Sequence, residues 1–190
     1  SIASPNYSKV YDGKSVEKEK LENYEIVGVL KEDESNIEIT PSHNEEITEV
    51  GTYLNDFTYN FPLNADNRYV VQTTKGNISV TKRPLAIDIK PQYQYNGDFF
   101  QQRLAETDFS VTNPATEENP DQGLAEGHVL QVEVDIESVL NGFNQIAQKP
   151  IFTVEVLNGS GENVTSNYAI TTNQDSARYS QAECFVTSPE

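Results

Sequence analysis

The chain has 190 residues, 36% of them apolar, with 30 acidic against 13 basic side chains and a formal net charge of −17. That balance opposes nucleic-acid backbones and anionic lipid surfaces, since approach would set like charges together instead of releasing counterions. No run nears the roughly 20 consecutive apolar residues of a membrane-spanning helix, and a lone Cys184 excludes an internal disulfide and a zinc site of the usual ligand number.

The chain opens without Met, as a mature form or an excised piece would, so any address signal is expected outside it. The first feature is a short extended run containing Tyr7, followed by Tyr11-Asp12-Gly13-Lys14, whose Asp-Gly suits a tight turn. Val16 to Tyr24 (VEKEKLENY) carries charge pairs at helical spacing. Period-2 alternation then takes over: Ile37 and Ile39, then Phe57, Tyr59 and Phe61, then Ile78 and Val80, then Leu85, Ile87 and Ile89. Downstream it continues through Leu130, Val132, Val134 and Ile136, through Phe152, Val154 and Val156, through Tyr168 and Ile170, and through Ala182, Cys184 and Val186. Such alternation predicts half-buried strands. Turn chemistry separates them at Asn64-Ala65-Asp66-Asn67, Lys75-Gly76-Asn77, Asn96-Gly97 and Leu157-Asn158-Gly159-Ser160-Gly161. One competing stripe, Ile136, Val139, Leu140, Phe143 and Ala147, falls on a single helical face, but Gly142 inside it favours an extended segment.

Landmarks recur in order. Tyr11-Asp12-Gly13 returns 84 positions later as Tyr95-Asn96-Gly97, each after another Tyr, Tyr7 or Tyr93. Gly51-Thr52-Tyr53 has an eroded counterpart in Gly142-Phe143, and Asn67-Arg68-Tyr69-Val70-Val71 matches Ser166-Asn167-Tyr168-Ala169-Ile170. The closing Val80-Thr81-Lys82-Arg83-Pro84 resembles Val186-Thr187-Ser188-Pro189. Ordered self-similarity of this kind signals duplication. It divides the chain into modules at residues 1–84 and 85–190, without a Gly/Ser-rich spacer and with longer loops in the second. The first holds 9 bases against 14 acids, the second 4 against 16, so the second module is the acidic one. The predicted fold is all-β, two tandem Ig-like β-sandwich modules. The alternative is a pair of β-grasp-like α+β modules, if Val16–Tyr24 and the Ile136–Ala147 stripe were covering helices.

Together these landmarks, with Gly76-Asn77-Ile78-Ser79-Val80-Thr81-Lys82-Arg83-Pro84-Leu85 and Glu126-Gly127-His128, resemble the tandem "YDG" or MBG-type (mostly β, glycine-rich) repeats of bacterial adhesin-like surface proteins. The match spans nearly the whole chain, with departures: Pro, expected after Tyr-Asp-Gly, is replaced by Lys14-Ser15 and Asp98-Phe99. The resemblance implies an extracellular, cell-surface or wall-associated stalk or adhesion segment with no catalytic residues, no cofactor and no metal. Its partners would be neighbouring repeat modules and, in an adhesin, a host glycan or matrix protein. Nucleic acid and membrane insertion are not expected.

The residues carry no catalytic motif. His43 lies in a polar loop and His128 follows Glu126-Gly127, so both read as solvated surface residues, and no nucleophile elbow, phosphate loop or dinucleotide fingerprint occurs. A glycosidase-like acid pair is the third-ranked reading, since two carboxylates in a cleft suffice for that chemistry. Asn64, Asp66 and Asn67, or Asp108, Glu117, Glu118 and Asp121, offer oxygen ligands for calcium but lack EF-hand or RTX spacing, and read as solvated faces. Tyr11, Tyr69, Tyr95 and Tyr168 read as core or corner residues. Lys9 suggests a Lys–Asn isopeptide crosslink, and residues 112–127, with Pro114 and Pro120, are where a ligand surface is expected.

Overall fold

A computed structural model describes residues 1–42, 46–61, 69–90, 92–94, 103–134, 147–148, 152–173 and 179–181. The chain forms two compact units, Ser1–Lys82 and Arg83–Glu190. Strands dominate both. Among the described residues the only α-helix is one turn, α1 (Lys31–Glu34), and Lys18–Lys20, Glu106–Asp108 and Thr165–Asn167 form 3-10 turns.

The first unit contains β1 (Ile2–Ala3), β2 (Tyr7–Val10), β3 (Glu25–Ile26), β4 (Glu38–Pro41), β5 (Gly51–Leu54), β6 (Phe57–Asn60), β7 (Thr73–Thr74) and β8 (Asn77–Thr81). The central strands join the two ends of the unit: β1 runs parallel to β7 and β2 parallel to β8. Outside them, β3 pairs antiparallel with β1 and β5 antiparallel with β8, while β4 and β6 form a separate antiparallel pair. The alternation of β8 turns Ile78 and Val80 inward, where they are 0% and 2% exposed. Each such side chain contributes about 1.5–3 kcal/mol of burial. Tyr11, Leu21 and Phe57 join them in the core.

Two glycine positions show different reasons for the residue. Gly13 sits at φ +78° in the Asp12-Gly13 turn, where Asp12 Oδ1 accepts the Lys14 N–H at 2.9 Å. Gly76, expected as a turn glycine, instead joins β7 to β8 where the backbone of Pro5 passes; a Cβ there would stand 2.2 Å from the Pro5 carbonyl oxygen. Close approach, not positive φ, demands it.

The second unit contains β9 (Arg83–Ile89), β10 (Gln92–Gln94), β11 (Phe109–Val111), β12 (Val129–Val134), β13 (Ala147–Gln148), β14 (Phe152–Leu157), β15 (Tyr168–Thr172) and β16 (Tyr179–Gln181). Its pairings repeat the first unit's one for one. β9 is parallel to β15 and antiparallel to β11, β10 is parallel to β16, β13 is antiparallel to β16, and β12 pairs antiparallel with β14. Leu85, Ile87 and Ile89 of β9 and Val132 and Val134 of β12 are at most 3% exposed, as their alternation requires.

The charge pairs of Val16 to Tyr24 do not make a helix; the segment folds as the single 3-10 turn. Its two core residues, Val16 and Leu21, are five apart and offer no apolar stripe, so nothing on a helical face would be buried. The second expected stripe lies outside the described residues except at Ala147, the first residue of β13. Also outside are Ile136, the Asn96-Gly97 and Asn64–Asn67 turns, and the final Ala182, Cys184 and Val186.

Candidate functional site

The loop at 112–127, the expected ligand surface, is built on a buried cation. Arg83 opens β9 in register with Tyr168 of β15, and is 3% exposed. Its Nε donates to the Gly123 carbonyl at 2.8 Å, and its Nη2 to the carbonyls of Pro120 at 2.9 Å and Gln122 at 2.7 Å. A planar guanidinium suits this, because its donors diverge in a fixed fork. The return contacts come from the strand backbone: the Gly123 N–H donates to the Pro84 carbonyl at 2.9 Å, and Asn113 accepts the Ala86 N–H and donates to the Pro84 carbonyl. Gly123 has φ +76°, and a Cβ there would lie 2.7 Å from the Asn113 carbonyl oxygen.

Beyond this pinned base the tip at 115–120 is exposed and closed by a small turn in which Thr116 Oγ1 accepts the Asn119 N–H at 3.0 Å. Glu117 and Glu118, with Asp121 directly after it, make it acidic. Among the described residues no three His, Cys, Asp or Glu side chains gather to hold a metal ion, so Asp108, Glu117, Glu118 and Asp121 do not converge. Asn64, Asp66, Asn67, His43 and Tyr95 lie outside the described residues.

His128 is not a solvated residue. It is half-buried at the end of the loop, with Nδ1 2.6 Å from the hydroxyl of Tyr168, which is itself 3% exposed. The same hydroxyl accepts the Ala125 N–H at 3.0 Å. Burial first, and the Arg83 charge second, hold the His128 pKa below its ordinary value of 6.5. Both causes favour the neutral imidazole, whose Nδ1 pairs with the tyrosine hydroxyl. Burial raises the Tyr168 pKa, opposed by the Ala125 hydrogen bond and by Arg83. A phenol kept protonated and out of solvent is a poor nucleophile or base, so the pair acts as a latch on the loop.

The first unit contains the same latch with a different partner. Tyr69 accepts the Leu30 N–H at 3.3 Å and donates to Asp33 Oδ2 at 2.6 Å. Leu30 and Asp33 are three apart, as are Ala125 and His128, and in each pair the second N–H donates to the first carbonyl. The match of Tyr69 with Tyr168 was readable from sequence; the exchange of Asp33 for His128 was not, because the partners lie 36 and 40 residues away with no shared motif.

Acidification should therefore weaken the second latch. A group whose folded pKa is depressed contributes stability that is complete above its unfolded value, about 6.5, and is lost as pH falls through the folded value. Between pH 7.5 and 5.5 the melting temperature of the second unit should fall more in the wild type than in His128→Gln, which keeps an acceptor for Tyr168. Parallel pH profiles would refute the titration of His128 as the cause.

Two other features bear on chemistry. A groove of about 630 Å³ in the first unit is lined by Pro5, Asn6, Glu19, Lys20, Glu22 and Asn23, a mixed-charge surface in which all but Pro5 are exposed. The Lys9 ammonium is held by Asp12 Oδ1 at 2.8 Å and the Lys14 carbonyl at 3.0 Å. That is a surface ion pair, not the buried Lys, Asn and acid arrangement an isopeptide crosslink requires.

No family model matches the chain, and neither a curated protein nor a solved structure is significantly similar to it.

Proposed function

We propose that the chain is a non-catalytic stalk or spacer segment of a bacterial cell-surface protein, made of two tandem modules of the "YDG" or MBG-like kind. The observation that carries this reading is the repeated connectivity: all five strand pairings of the first unit recur in the second, in the same order and direction. Only Lys82 separates β8 from β9, so one module's last strand leads directly into the next module's first. Repetition of one unit is an economical way to gain length, and a net charge of −17 keeps an exported chain soluble by self-repulsion.

Within the β-rich class, the strand order differs from that of an Ig-like sandwich. An Ig sheet keeps its first strand at an edge, whereas here β1 has neighbours on both sides and β8 lies between β2 and β5. The β-grasp-like alternative called for covering helices, and Val16 to Tyr24 supplies only a 3-10 turn.

A second reading, an adhesin module for a glycan or host protein, draws on the exposed acidic tip at 115–120 above its Arg83-pinned base. The two are separated by measuring binding to mucins, matrix proteins and glycans, with and without calcium. The control replaces residues 115–119 by a Gly/Ser segment of equal length, because deletion of 112–127 would strand the buried Arg83. A spacer gives no saturable binding and two unfolding steps when pulled by its ends. Saturable binding abolished by the tip replacement would establish the adhesin, and glycan hydrolysis would overturn both.

A further inference from the structure

The turn that follows β14 sets a polarised amide beside an unhindered backbone nitrogen. The Asn158 N–H donates to the Glu162 carbonyl at 2.9 Å and the Gly161 N–H to the Asn158 carbonyl at 3.0 Å, so residues 159–161 form a three-residue hairpin loop. Gly161 takes the left-handed place in it, at φ +81°. Gly159 does not: its φ is not positive, and a Cβ there would meet only the Gly127 carbonyl oxygen, at 4.0 Å. The backbone therefore has no need of a glycine at 159. What the missing side chain leaves open is the approach of the Gly159 nitrogen to the side chain of Asn158.

Asn158 Oδ1 accepts two backbone N–H groups, from Ser160 at 3.0 Å and from Glu162 at 2.9 Å. Donors aimed at that oxygen stabilise the negative charge it gains when a nucleophile adds to Cγ. The next nitrogen along the chain is that of Gly159, and its N–H has no acceptor among the described residues. Gly159 and Ser160 are exposed, so water and hydroxide reach the turn. Asn163 supplies the contrast. Its Oδ1 also accepts two donors, the Thr165 N–H at 3.0 Å and Thr165 Oγ1 at 2.6 Å, but the nitrogen that follows it belongs to Val164. That N–H is bound to the Val156 carbonyl at 2.8 Å, and the valine is β-branched and 6% exposed.

We propose that Asn158-Gly159 is a self-modification site, at which the native turn converts its own asparagine to aspartate and isoaspartate through a cyclic imide. Hydroxide removes the Gly159 N–H proton, the nitrogen bonds to Asn158 Cγ, and the bond from Cγ to Nδ2 breaks with release of ammonia. Water then opens the imide. Attack at Cγ leaves aspartate, and attack at the main-chain carbonyl leaves isoaspartate, with the chain running through the former side chain. Water is consumed and ammonia released, with no change of oxidation state. Aspartate places a carboxylate where Nδ2 now donates to Glu162 Oε1 at 3.3 Å, so an attraction becomes a repulsion. Isoaspartate lengthens the main chain by a methylene inside the loop. Either product loosens the end of β14. The inference rests on the turn alone, so its failure would leave the spacer reading standing.

The test is incubation of the full chain at pH 8, followed by cleavage after glutamate, which isolates residues 156–162 from the peptide that holds Asn163. The 156–162 peptide should gain the mass of an amide-to-acid exchange and split into aspartate and isoaspartate forms, while Asn163 stays intact. Gly159→Ala, for which the turn has room, should keep the melting temperature and slow the conversion by about tenfold or more, since a Cβ obstructs the attacking nitrogen and each tenfold is a modest rise in barrier. Incubation in guanidinium chloride separates the motif from the fold: conversion in the native chain should be at least as fast as in the unfolded one. Native conversion slower than in denaturant would show that the turn shields the amide, and an unchanged rate in Gly159→Ala would place the attack elsewhere; either result overturns the proposal.

Discussion

Arg83→Met is expected to cost the second unit about 3–5 kcal/mol, because three carbonyls lose a charged donor at once. The guanidinium is 3% exposed and satisfies the carbonyls of Pro120, Gln122 and Gly123. Each carbonyl left unpaired in the interior costs about 1–3 kcal/mol, with the more solvated ones at the low end. Methionine preserves most of the aliphatic volume, so the loss would report hydrogen bonds rather than a cavity. Arg83→Lys should recover only part of it, because an ammonium cannot reproduce the fork. Urea denaturation measures the loss, and limited proteolysis within 112–123 should accelerate in parallel. A cost below about 1 kcal/mol would mean that water replaces the side chain and that the loop holds itself. The same variant removes the cation that helps depress the His128 pKa, so His128 should titrate at higher pH, an NMR-visible shift independent of stability.

In the first unit the corresponding pin is Asn55, and Asn55→Ala should cost about 2–4 kcal/mol through two orphaned carbonyls and a small cavity. Asn55 is 0% exposed, and its Nδ2 donates to the carbonyls of Pro5 at 3.0 Å and Leu21 at 2.9 Å. Its backbone belongs to the same joint. The Asn55 N–H donates to the Gly76 carbonyl at 2.8 Å, the Asn55 carbonyl accepts from Ser4 Oγ at 2.7 Å, and Ser4 Oγ in turn accepts the Gly76 N–H at 2.9 Å. One residue thus ties the break between β1 and β2 to the turn after Lys18–Lys20 through its side chain, and to the crossing at Gly76 through its backbone. Asn55→Asp should be worse than Asn55→Ala, since it replaces two donors by a buried carboxylate facing carbonyl oxygens. Calorimetry that resolves the two units should show the first transition shifted and the second unchanged. If the aspartate variant proved as stable as wild type at neutral pH, the donor role of Nδ2 would be wrong.

Much of the β architecture was legible from residue order. Alternation at Ile78 and Val80, at Leu85, Ile87 and Ile89, and at Val132 and Val134 named strands that exist and side chains that are buried. The misjudged positions share a cause. Val16 to Tyr24 has helical charge spacing but no apolar face, and Gly76 reads as a turn until the passing backbone of Pro5 is seen. His128 looks solvated until Tyr168, 40 positions away, is brought to its ring.

The sequence by itself determined that this is an acidic, β-rich chain and which side chains face inward, because a strand's period of two is a local property that each segment carries alone. Only the tertiary structure decided which strands are neighbours, that the first two strands of each unit run parallel beside its last two, and that Arg83, Asn55 and two tyrosine hydroxyls pin the loops. Period two specifies a face but not a partner, and a buried polar group takes its meaning from partners 34 to 50 positions away that no local pattern encodes.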